Sequence, residues 1–130
     1  MSENRQLRYR LTLGCESGGI RRPVLQSGGV FDDPAPALLL ACEVVGRPLN
    51  AADAILQRAG ILAAPLIAQA WRSLRRLPVA GVTIERVEVD GPQVLGVDPS
   101  FAGLHVDARR PGVADVSPYK RATPIWRAAG

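Results

Sequence analysis

The sequence predicts an α+β fold: an N-terminal strand, a glycine-rich excursion, three helices, a three-stranded antiparallel meander and an extended C-terminal tail. Three observations carry this. Over residues 6–13, Leu7, Tyr9, Leu11 and Leu13 alternate with Arg8, Arg10 and Thr12, the period of a half-buried strand with a wet, basic outer face. From Asn50 to Pro78 the apolar residues recur at three- and four-residue steps, the period of helices. Beyond Pro78 the period is two again, broken by turn signals at Asp90-Gly91-Pro92 and Asp98-Pro99-Ser100.

After the first strand, residues 14–33 hold a near-repeat, Ser17-Gly18-Gly19-Ile20 and Ser27-Gly28-Gly29-Val30. The intervening IRRPVLQ suits a short extended arm bent at both ends, which makes a hairpin or flap. Consecutive glycines also leave backbone N–H groups free to cradle an anion, and two arginines follow the first pair. Gly18, Gly19, Arg21 and Arg22 are therefore a candidate anion site. The stretch has neither the Gly-Lys-Ser/Thr ending of a P-loop nor a strand–GxGxxG–helix.

Asp33-Pro34 reads as a helix cap followed by the proline favoured in the first turn, and Gly46 with Pro48 closes the run APALLLACEVV. Glu43 is the single charge on this first helix, so it needs cover on most sides. Asn50 caps the second helix, Ile55, Leu56 and Ala59 give it an apolar face, and Gly60 ends it. Pro65 opens the third, whose stripe is Leu66, Ile67, Ala70, Trp71, Leu74 and Leu77 before Pro78. A helix, a glycine corner and an arginine-bearing helix invite comparison with a DNA-reading helix-turn-helix. Ile61 to Ala68, however, offers no hydrogen-bonding side chain to a base edge. A helical hairpin packed on a core is the better reading.

In the strand after Pro78, Val82 and Ile84 share one parity, Val87 and Val89 the other. Either the strand bulges near Glu85-Arg86, or both of its faces are partly covered. Gln93 to Val97 and then Leu104, Val106 and Ala108 complete the meander.

At 130 residues the chain suits one domain, placed at 1–108, with 109–130 as a basic extended arm. Arginine outnumbers lysine fifteen to one, and the formal charge is +4. Residues 1–108 hold eleven basic and eleven acidic side chains, so the excess is assigned to the tail. No apolar run reaches bilayer-crossing length, the N-terminus lacks a signal-peptide core, and Cys15 and Cys42 make no disulfide framework. A cytoplasmic protein with free thiols, no cofactor and no membrane partner is expected.

For chemistry, Cys15 and Ser17 are nucleophile candidates, and His105 with Asp107 on the same strand face is a candidate base and its orienter. Cys15, Glu16, Cys42, Asp98, His105 and Asp107 show no metal-ligand spacing. Neither a catalytic set nor a metal site is assigned. The leading expectation is a non-enzymatic structural or adaptor subunit of a homo-oligomer or multi-protein complex. It would dock through the apolar first helix and an arm bearing Arg109, Arg110, Tyr119, Lys120, Arg121, Trp126 and Arg127. One alternative is a nucleic-acid-associated protein contacting phosphates through that basic tail. The other is a small enzyme or ligand-binding module built on the glycine-rich loop.

Overall fold

In the computed structural model, which describes residues 5–115 and 122–124, one antiparallel sheet of eight strands dominates. The strands are β1 (Arg5–Ser17), β2 (Ile20–Ser27), β3 (Ala63–Pro65), β4 (Val79–Asp90), β5 (Gln93–Val97), β6 (Leu104–Asp107), β7 (Arg110–Asp115) and β8 (Ala122–Pro124). Their order is β3-β2-β1-β4-β6-β7-β8, with β5 also on β4. This overturns the helix-rich layout with its three-stranded meander. β5 and β6 both pair with β4, β5 along Val87–Asp90 and β6 along Gly81–Ile84. The 98–103 connection carries the chain along the edge of β4 instead of folding it back on β5. Arg86 holds that connection: its Nε donates to Asp98 at 2.6 Å, its Nη2 to Ser100 at 2.8 Å, and its guanidinium lies 5.3 Å from the Phe101 ring centre. Tyr9 meets the same ring edge-on at 5.3 Å.

The three helices are α1 (Pro34–Val44), α2 (Leu49–Arg58) and α3 (Ala68–Leu74). Asp33 caps α1 as expected, accepting from the Ala35 amide at 3.0 Å, and Gly46 leaves the helix in a left-handed conformation. α1 lies across β1, β4 and β6. Its Ala37, Leu38, Ala41 and Val44 pack with Leu11, Leu13, Val82, Ile84, Leu104 and Val106, so the odd residues of β1 and the even residues of β4 build the core. α2 starts at Leu49, one residue before the expected cap, and Asn50 instead receives the Ala51 amide at 3.0 Å.

The third helix is the largest local difference. Ala63–Pro65 is an edge strand on β2, and the Leu66 amide donates to Val24, so the helix is confined to 68–74. None of its residues is fully buried, and Trp71 and Leu74 are partly so. A helical period was present, but backbone pairing with β2 claimed the first residues of the stripe. That is tertiary context overriding a local pattern.

β4 resolves the parity change in its sequence. Its register with β1 runs without interruption from Arg5–Asp90 to Gly14–Gly81, so there is no bulge between these strands at Glu85-Arg86. Val87 and Val89 therefore sit on the face away from α1, yet both are buried, at 0% and 2% exposure. The cover is the second glycine pair. At Ser27 the chain leaves β1, the Leu11 amide donating to Ser27 Oγ at 2.9 Å, and it rejoins at the Tyr9–Phe31 bridge. Between these points Gly29 lies directly over the two valines: a Cβ there would stand 2.8 Å from Val89 Cγ1 and 3.0 Å from Val87 Cγ2. Arg8 fastens the excursion by donating to Val30 O at 3.0 Å, with Asp32 3.2 Å from its Nε.

Candidate interaction surfaces

The face of the sheet away from α1 carries a polar row across four strands: Gln26, Thr12, Thr83 and His105 occupy successive register positions on β2, β1, β4 and β6. Gln26 donates to Thr12 at 3.1 Å, and His105 Nδ1 and Thr83 Oγ1 are hydrogen-bonded at 2.9 Å. The same register places Asp115 of β7 opposite His105. Beside this row Gly14 and Gly81 are directly opposed, and their missing side chains leave a trough of about 270 Å³. Register shifts on both sides of Gly14 bend the strands there. The His105 ring occupies the space above Gly81, where a Cβ would lie 2.6 Å from its Cε1.

Arg21 spans the trough. From β2 it reaches Asp107 on β6, with Nη2 donating at 2.7 Å, while Nε donates to Glu16 at 3.2 Å. Such a reach across β1 and β4 requires that Gly14 and Gly81 present nothing in its path. Burial works against the charge on Asp107, but the Arg109 amide and the Arg21 guanidinium outweigh it and hold the carboxyl below its usual range.

Of the candidate anion residues, Gly18 and Gly19 form the two-residue turn of the β1–β2 hairpin, both with positive φ (59° and 78°). Arg21 lies over the trough, whereas Arg22 pairs in register with Cys15, whose side chain points into the core. The two arginines thus leave the strand on opposite faces, and Arg21 is already held between two carboxylates. Cys15 and His105 are separated by the same parity. Burial raises the Cys15 thiol, away from the thiolate a nucleophile needs. Among the described residues no cluster of three or more His, Cys, Asp or Glu side chains could hold a metal ion. Arg109 and Arg110 stand at the β6–β7 turn, where the Arg109 amide and Nε both reach Asp107, at 2.9 and 3.3 Å. Tyr119, Lys120, Arg121, Trp126 and Arg127 lie outside the described residues.

No family model matches the chain. Neither a curated protein nor a solved structure matches it either. No helix among the described residues is long and apolar enough to cross a membrane.

The second surface is on α1. The helix buries one side, but Leu39 is 71% exposed. It borders a groove of about 410 Å³ between α1 and the exit of α2, walled by Val30, Phe31, Pro36, Leu40 and Ile61. Leu62, adjacent to Ile61, is 85% exposed. The sequence signal for this surface was the almost wholly apolar run of α1. Leu62 falls within the predicted helical hairpin and carries no separate signal.

Proposed function

We propose that the protein is a non-enzymatic building block of a protein assembly, docking through the outer side of α1, with a second copy of the same chain as its partner. The observation that carries this is Leu39, a large apolar side chain 71% exposed on a helix whose only charged residue is Glu43. Exposed apolar surface beside a groove is the usual mark of a protein contact. Knob and hole lie side by side here. A two-fold axis next to α1 would seat Leu39 of each copy in the groove of the other, a self-complementary contact of the kind most dimers use. Leu62 would extend the same contact.

The test is size-exclusion chromatography with light scattering on the full chain. The expected result is a dimer or larger species that Leu39→Asp with Leu62→Asp converts to monomer. Leu95→Asp, an exposed leucine on β5, should leave the mass unchanged. A monomer at high protein concentration, or an assembly indifferent to the paired change, would sink the reading.

A further inference from the structure

We propose that the end of the sheet carrying the β1–β2 turn binds the phosphate backbone of double-stranded nucleic acid without regard to base sequence. None of its arginines lines the α1 groove.

The neutral charge count of residues 1–108 conceals a division made by the topology. Antiparallel pairing brings the start of β2, the start of β4 and the end of β6 to one end, since Cys15 pairs with Arg22 and Val79, and Gly81 with Asp107. The loop before α2 joins them: the Gly46 amide donates to Val79, and the Leu49 and Asn50 amides donate to Leu77 and Arg75. Together these contacts gather Arg22, Arg47, Arg72, Arg75, Arg76 and Arg110. All six are exposed, and none has a carboxylate within ion-pair distance among the described residues. With Arg21 and Arg109 this end holds eight arginines against Glu16 and Asp107, with Glu43 one turn before Arg47 and Asp53 one turn into α2, a formal excess of four. The opposite end differs in kind. Its arginines, at 5, 8, 10 and 86, are each paired with a carboxylate, and six acidic residues outnumber them.

The chemistry favours a polyphosphate over other anionic partners. Guanidinium groups match phosphate oxygens two bonds at a time. The backbone amides that open α2 are spent on Leu77, Arg75 and Asn50 Oδ1, so the attraction comes from the side chains. Protein interfaces concentrate aromatic and apolar anchors at their centres. Of the exposed large apolar residues among those described, only Ile20 stands at the hairpin tip, and Trp71 on α3 packs against the core. With no exposed aromatic platform among the described residues on which to stack unpaired bases, the surface suits a duplex better than a single strand. Arginines dominate the surface, and the Oδ1 of Asn50, beside Arg75, is taken by the Ala51 amide, so it reads the backbone and not the bases.

The experiment is fluorescence anisotropy of a random-sequence DNA duplex titrated with the full chain at several salt concentrations. Binding should fall steeply with salt. Arg75→Gln, Arg76→Gln and Arg110→Gln combined should weaken it at least about tenfold and make the log–log salt slope shallower by about three, near one per lost phosphate contact. Arg76→Gln alone should reduce the slope by about one, whereas Arg58→Gln should not change it. Arg58 is an exposed arginine on the last turn of α2, the end opposite the Leu49 and Asn50 amides, where it shares a pocket with Glu43. These side chains are on the surface, so melting temperatures should match the parent chain. Four results would overturn the proposal: no duplex binding at low salt, equal losses from Arg76→Gln and Arg58→Gln, undiminished binding by the triple variant, or displacement by polyglutamate as effective as by unlabelled duplex.

Discussion

Ser17-Gly18-Gly19-Ile20 and Ser27-Gly28-Gly29-Val30 are nearly the same tetrapeptide, yet the molecule uses their glycines for different physical reasons. The first pair needs rotation. Both residues have positive φ, the two-residue turn joins β1 to β2, and a Cβ on either would touch nothing within 4 Å. The second pair needs room. Neither Gly28 nor Gly29 adopts a positive φ, but Gly29 lies on Val87 and Val89 so closely that a methyl group would overlap them. A glycine pair in a sequence therefore says that something is unusual about the backbone. It does not say whether the constraint is torsional or steric.

The steepest way to break the comparison is Gly29→Ala. Overpacking against the two valines should cost about 1–3 kcal/mol in urea denaturation. Combining it with Val89→Ala should recover part of that loss relative to the sum of the single changes. Gly28→Ala meets only Val30 Cγ1, at 4.0 Å, and should cost far less. Equal penalties at 28 and 29 would remove the steric account.

Next comes Gly19→Ala, which forces a side chain into the left-handed region at a cost of about 1–2 kcal/mol. Gly19→Asn should recover most of this, since asparagine tolerates that region. A steric site would rank the two substitutions the other way, the larger side chain being worse.

The smallest effect separates the two segments by pH. The first hairpin is tied to β6 through Arg21 and Asp107, and the folded-state pKa of Asp107 is lowered. Its contribution is present above the unfolded carboxyl value of about 4 and is lost as pH falls from there through the folded value. Amide protection in the β1–β2 turn, with the intrinsic pH dependence of exchange divided out, should therefore fall as the solution is taken below pH 4, and Asp107→Asn should flatten that fall. An unchanged profile in the variant would show that another group governs it.

Much of the framework could be read directly from the residues. The alternation of β1, the Asp33 cap and the Gly46 and Gly60 exits are local rules, and local rules are visible in a local string. β4 was half legible: the parity change at Val87 announced two covered faces or a bulge, but only the chain returning at Gly28-Gly29 decided between them. The conversion of Ala63–Pro65 to a strand depended on β2, nearly forty residues earlier, and no window around it carried that information. The interaction surfaces were harder still. The apolar character of α1 could be read, but not which of its leucines the sheet would leave outside. A charge count over residues 1–108 returned neutrality, because the segregation of arginines arises only when antiparallel pairing assigns each end of each strand to a pole.

β4 also sets the pace at which the chain can organise itself. It is a strand with partners along both edges and cover on both faces, and its contacts with β1 include residues 73 and 83 positions apart, as in Thr12–Glu85 and Arg5–Glu88. Loop-closure entropy must be met before such contacts can stabilise anything. The β1–β2 hairpin can form on its own within microseconds, leaving the other edge of β1 unpaired until residues 79–90 arrive. During that interval the unpaired edge of β1 is open to other chains, and a newly made chain remains at risk until β4 has docked.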